Sequence, residues 1–257
     1  MITIPTLNVD KIRESYPSIF STKSAEFTSD RYNQINSAKV VDLLCRQGFV
    51  VSDISASKNP LGRHMIRMRH TDVLDRTQGS IPELILTNSH NWESSFRLMI
   101  GVFRFVCSNG MVTMDQEIGR LAKKHNMIDQ ESVEDIALEF CEKANGVYDI
   151  INRWSRINVT DSFIDQFSKE ASQIRWKGND EIHQNLYSPA REDDQNNDLW
   201  SVFNVIQERV IKGDIVNPET NRMARKVTNP KQLESFNREL WEIGDKYASL
   251  MQQEAFA

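Results

Sequence analysis

The sequence predicts an α+β protein, with a β-rich N-terminal half behind a short helix and a helical C-terminal half packed on it. Between Phe49 and Met114 apolar residues come in short runs, several alternating with polar ones and all broken by turn residues. Beyond residue 130 they recur at steps of three and four over long stretches. A chain of 257 residues with 39% hydrophobic content can bury a core of its own, as one large domain or two small ones. The organisation expected is an irregular lead-in over 1–30 and a single α+β domain over 31–257, β-rich to 127 and helical from 128.

Pro5, Pro17 and scattered Ser and Thr make the lead-in irregular. Ser37 has the chemistry of an N-cap, followed by a stripe of Val40, Val41 and Leu44 and a stop at Gly48. FVVSDISA then reads as a strand, KNPLG as a turn and RHMIRMRH as a second strand. Alternation puts Arg63, Arg67 and Arg69 on one face of it and His64, Ile66, Met68 and His70 on the other. LDRTQGSIP reads as a loop and ELILTN as a third strand, bounded by Pro82. SSFRLMIGVFRFV suits a buried strand bent at Gly101, or a short helix leading into a strand. Asn109-Gly110 has the chemistry of a tight turn, with MVTM pairing back.

In the helical half Ser132 and Asp135 form a capping box ahead of Val133, Ile136, Phe140, Ala144, Val147, Ile151 and Trp154. Thr160 caps a second helix carrying Phe163, Phe167, Ala171 and Ile174. LWSVFNVIQERVIKG is a third, stopped by Gly213, and Asn229-Pro230 opens a fourth with Leu233, Phe236, Leu240, Ile243, Tyr247 and Leu250 inward. Two such stripes must be covered, so Trp200 and Trp241 are expected to be mostly buried. Polar loops near 177–197 and 213–229 separate these helices.

Several stretches resemble one family in one order. They are RYNQINSAKVVDLLCRQGF, RHMIRMRH, PELILTNSH, FRFVCSNGMV, REDDQNNDLWSVFNVIQERVIKGDI and LESFNRELWEIGDKYASL, together about residues 31–250. The family is the phage- and plasmid-like one that is catalogued as a domain of unknown function. The chain departs from its pattern at Asn91-Trp92, where Asp-Gly would follow NSH. The resemblance implies an association with mobile elements and supplies no catalytic residue. The residues it marks as motif positions are Asn88, His90, Arg104, Cys107, Asn109, Arg191, Asp194, Trp200 and Asn204.

Net charge is −5, which argues against a generic nucleic-acid coat. Its distribution is uneven: Lys58–Lys124 carries ten basic and six acidic residues, +4 against −9 for the rest. Three widely spaced cysteines without a CxxC pair fit reduced thiols. No apolar run approaches the ~20 residues that span a bilayer, and the N-terminus lacks a secretory signal pattern. These features point to a soluble protein of the cytoplasm of a bacterial host cell.

Four chemistries were weighed on the residues. His64, His70, His90, His125 and Cys107 are zinc-ligand types, but their spacing matches no metal motif, so no metal site is expected. Cys107 with His90 would make a thiolate nucleophile, yet a cysteine ending an apolar run reads as packing. Glu192, Asp193, Asp194, Asp198 and Glu208 are able to hold Mg²⁺, but acids at this spacing better suit a helix N-terminus, with Arg191 pairing to one of them. The fourth, phosphate contact, is the chemistry expected. Arg63, Arg67 and Arg69 on a solvated strand face, with Arg97, Lys123 and Lys124, would follow a phosphate backbone, and Trp92 or a phenylalanine would stack on bases. No Walker loop or GxGxxG is present and no cofactor is implied.

The function expected is therefore non-enzymatic handling of nucleic acid: binding of single-stranded DNA, with annealing or recombination by an oligomer. The alternatives are an interaction protein that blocks a host defence or replication factor, and an enzyme sited at the NSH and CSNG motifs.

Overall fold

The computed structural model describes residues 14–22, 35–74, 79–104, 109–112, 130–179 and 181–255. The class is α+β: strands occupy the N-terminal half and long helices the C-terminal half. Helices α1 (Ser37–Arg46) and α2 (Thr71–Leu74) accompany strands β1 (Phe49–Ala56), β2 (His64–His70), β3 (Ser80–Asn88), β4 (Arg97–Arg104) and β5 (Asn109–Val112). Helices α3 (Gln130–Trp154), α4 (Asp161–Arg175), α5 (Leu199–Lys212) and α6 (Pro230–Ala255) follow, with a small hairpin of β6 (Val216–Asn217) and β7 (Arg222–Met223) between the last two. The chain divides into two compact units. One takes Met1–Arg104, Val112–Asn145 and Asn229–Lys231; the other takes Phe105–Met111, Gly146–Thr228 and Gln232–Ala257.

In the first unit the strands follow chain order, and β1 to β4 pair antiparallel. The sheet has two unlike faces. Ile66 and Met68 of β2 share one with Leu84 and Leu86 of β3 and Leu98, Ile100 and Val102 of β4, all buried. The opposite face carries Met65, Arg67, Thr87, Ile85, Glu83, Arg97, Met99 and Phe103. Register thus confirms the alternation read from β2, and a slip of one residue would exchange the faces. Residues 94–106, open between strand and helix in the sequence, supply strand β4. Pro82 lies inside β3 rather than at its boundary. It pairs with Val102, while pairing with β2 reaches only Leu84, so on that side its missing N–H faces an open edge.

Three local expectations change. Asn36, not Ser37, caps α1, accepting from the Lys39 N–H at 3.0 Å, because the Ser37 hydroxyl is taken up elsewhere. Asn109 and Gly110 are residues of β5, not of a tight turn; both tolerate extended backbone as well as a turn. α3 starts at Gln130, so Ser132 is already inside it and caps nothing.

The second unit is held by aromatic side chains. Trp154 stacks on Trp241 at 4.7 Å between centroids and meets Phe203 edge-on at 5.2 Å. Phe163 packs edge-on against Tyr247 at 4.9 Å. Trp200 and Trp241 are 7% and 6% exposed, as the stripes require, whereas Leu250 is exposed because α6 turns its Tyr247–Ala248 side inward there. Thr160 caps α4 and Gly213 ends α5 with φ 83, both as the sequence indicates. The hairpin β6–β7 interrupts the polar stretch 213–229, and Arg175 anchors it by donating to the carbonyls of Val210 (2.5 Å) and Arg225.

At Gly244 of α6 an added Cβ would meet the Trp154 ring at 2.6 Å. Ala gains about 1 kcal/mol of helix propensity over Gly, but overpacking costs about 1–3 kcal/mol. Trp154 is walled in by other rings and cannot yield. Gly244→Ala should therefore lower stability by about 1–2 kcal/mol in urea unfolding; a gain would show that the ring does move.

Candidate functional site

The charged face of the sheet is built around Glu83, which has no exposed surface. Arg69 donates from Nε to its Oε1 at 2.9 Å, Arg67 approaches its Oε2 at 3.5 Å, and Ser52 donates its hydroxyl to Oε1 at 3.1 Å. Ser52 stands at the register shift of β1 between Val51 and Asp53, where the extra residue turns it toward Glu83. Gly101 lies opposite Glu83 on β4 and presents no side chain to it. The Arg69 guanidinium sits 3.8 Å from the centroid of the Phe103 ring, a cation–π contact.

Arg63, Arg67 and Arg69 are only 5–6% exposed, so the solvated basic face predicted from alternation is not what the chain forms. A strand next to an acidic neighbour folds its arginines over that acid rather than outward. The rim of the face is more open: Arg97, Met99 and Phe103 of β4 and Ser52 and Ser55 of β1 are half-buried, and Asp53 is exposed. Lys123, Lys124, Cys107 and His125 lie outside the described residues. Arg104 is buried at the end of β4, opposite Ser80.

The histidines serve the other face. Asn88 donates to the Ser37 hydroxyl at 3.0 Å and Ser37 lies 2.8 Å from His64 Nε2, so Ser37 donates to His64. Asn88 also donates to the Ile35 carbonyl at 3.0 Å. His70 Nε2 donates to the Gln47 carbonyl at 2.7 Å, just past the end of α1. The two histidines that begin and end β2 thus hold the two ends of α1. His90 donates to the Ser18 carbonyl at 2.9 Å, and its ring lies 5.6 Å from that of His64. Burial, with the nearby His90, lowers the His64 pKa to about 4, and burial also lowers that of His90. Ser37 and His64 have the partners of a nucleophile and base, but both are fully buried, and the bonds tie helix to sheet. Ser37 and Glu83 are the residues that sequence reasoning missed. A lone acid within PELIL beside an arginine-rich strand was the available sign of Glu83.

After NSH the chain makes a locked turn. The Ser89 hydroxyl donates to the Ser94 carbonyl and accepts from its N–H, both at 2.8 Å. Asn91 Nδ2 donates to Glu93 Oε1 at 2.8 Å, and Glu93 Oε2 accepts from the Arg63 N–H at 3.1 Å. The His90 N–H donates to the Leu61 carbonyl at 2.8 Å, joining this turn to the β1–β2 turn. At its tip Trp92 has φ 64, a glycine-like conformation costing a tryptophan roughly 1–3 kcal/mol, and is 59% exposed.

In the second unit Arg191 makes a bidentate pair with Glu208 at 2.8 and 2.9 Å and reaches Asp194 at 3.0 Å. Burial alone would raise the Glu208 carboxyl, but hydrogen bonds from Arg191 and Lys212 outweigh it and hold the pKa down. Asp198 caps α5, accepting from the Ser201 N–H at 3.0 Å. Asn204 donates to the Trp200 carbonyl at 2.6 Å. Among the described residues no three His, Cys, Asp or Glu are grouped to hold a metal ion, and no helix is long and apolar enough to cross a membrane.

A family model described as "Domain of unknown function (DUF932)" matches residues 25–241. Two Escherichia coli K12 proteins are similar: UPF0380 protein YfjQ, 30% identical over 220 residues, and UPF0380 protein YafZ, 29% identical over 222. Each alignment covers 77% of this chain and 75% of the relative. No solved structure matches.

Glu83→Ala leaves two buried guanidiniums without their carboxylate and should cost about 3–5 kcal/mol in denaturant unfolding. A loss below 1 kcal/mol would show that the arginines are held by other groups.

His64 also sets a pH response. Its folded pKa is depressed to about 4 from 6.5, so its contribution is fully present above pH 6.5. As pH falls toward 4 the unfolded histidine binds a proton that the folded one refuses, removing up to roughly 3 kcal/mol. Urea midpoints measured from pH 7 to 4 should fall through that window, and His64→Gln should show a shallower fall. An unchanged slope in the variant would count against the assignment.

Proposed function

The chain belongs to the DUF932 family, and from that premise we propose that it is a non-enzymatic protein that binds single-stranded nucleic acid on the charged face of its sheet. The observation that supports this is the concentration of Arg63, Arg67, Arg69 and Arg97 with Phe103 along β2 and β4, on the face opposite the apolar core. Guanidiniums recognise phosphate in fixed, bidentate geometry, and aromatic faces stack on bases without regard to sequence. Arg97 and Phe103, half-buried at the rim, make the first contacts, and the arginines of β2 lie beneath them as a fixed positive layer.

The arginines of β2 are too buried to be reversed in charge without unfolding, so the test belongs at the rim. Purified protein should bind labelled oligo(dT) with an affinity that falls as salt rises, the log–log slope being about −0.7 per phosphate contacted. Arg97→Gln with Phe103→Leu should weaken that binding about tenfold and flatten the slope while unfolding cooperatively. No binding at low salt, or equal binding by the double variant, would sink the proposal.

A further inference from the structure

Resting on the nucleic-acid reading above, we infer that Trp92 is a stacking platform for an unpaired base of a single strand. A tryptophan in left-handed backbone is disfavoured, and an exposed one gains little from burial; here the two coincide at one residue. The turn is not loose. Ser89, Asn91 and Glu93 fix it through side-chain hydrogen bonds, and Leu61 joins it to the neighbouring turn. The ring is therefore held outward on a rigid support, which keeps the entropy cost of receiving a ligand low.

The surroundings favour a base over a protein. Around the ring the turn offers Asn91 and Glu93, and the adjoining β1–β2 turn exposes Lys58 and Asn59, an ammonium and amides for phosphate and base edges. Protein-docking tryptophans sit at the centre of an apolar patch. In this unit the other large exposed hydrophobic among the described residues is Leu138, on α3. A single aromatic in a polar rim matches the stacking contacts of single-strand binding, which need a π-face and no pocket.

The test uses the full chain, labelled oligo(dT) anisotropy across a salt series, and the variants Trp92→Gly and Trp92→Phe. Trp92→Gly should weaken binding about 5- to 150-fold at every salt concentration with the slope unchanged, since stacking and not phosphate contact is lost. Trp92→Phe should recover most of it. Trp92→Gly should also raise the urea midpoint, because glycine adopts positive φ without strain. Wild-type affinity in Trp92→Gly overturns the stacking role and leaves the nucleic-acid reading standing; absence of binding by the wild type overturns both. Loss by Trp92→Gly of a co-purifying protein instead of oligonucleotide overturns it in favour of a docking tryptophan.

Discussion

A carboxylate with no access to water must be compensated where it stands, and Glu83 imposes that requirement on four strands at once. Its partners come from β1 and β2, and β4 leaves the space opposite it empty at Gly101. Removing an ionised group from water costs several kcal/mol, so a shift of β2 against β3 that separated Arg67 and Arg69 from Glu83 would expose that whole penalty. The apolar face would tolerate a two-residue slip, since leucine and isoleucine substitute for one another with small loss. The ion cluster would not. The polar face thus specifies the register that the apolar face stabilises.

β2 works in both directions because its period is two. Odd positions send Arg67 and Arg69 to Glu83, and even positions send His64 and His70 to the ends of α1. The helix termini carry unsatisfied backbone groups. His70 satisfies the Gln47 carbonyl just beyond the last turn, and His64 engages the hydroxyl of the first residue. Both bonds use neutral imidazole, which explains why ligand-type residues in this stretch gather no metal cluster: their nitrogens already serve the helix.

Elements set by local chemistry were legible. β1, α5 and the start of α6 fall where period, capping residue and Gly or Pro place them, because the same residues decide both the pattern and the end. The fates of polar side chains were less so. Ser37 looked like a cap and Asn109-Gly110 like a turn, since each is sufficient for that role in isolation; His64 and the strand order claim them instead. The arginine face was read correctly as a face and wrongly as solvated, because exposure depends on where Glu83 arrives from another strand. Arg191 is the converse case: an acid-rich stretch suggested a partner for it, and Asp194 and Glu208 both serve, the second 17 residues away on the adjoining helix.

Trp92 separates what folding needs from what it tolerates. Every other polar residue of the NSH turn is engaged in keeping the turn closed: Asn88 and His90 reach back to the segment before α1, Ser89 closes on Ser94, and Asn91 and Glu93 hold the tip. None of these bonds requires an indole at the position between Asn91 and Glu93, and the φ of 64 there suits glycine. Packing gives no compensation for so exposed a ring. A residue that costs the fold backbone strain and returns no burial has its physical explanation outside the fold, in what the ring meets.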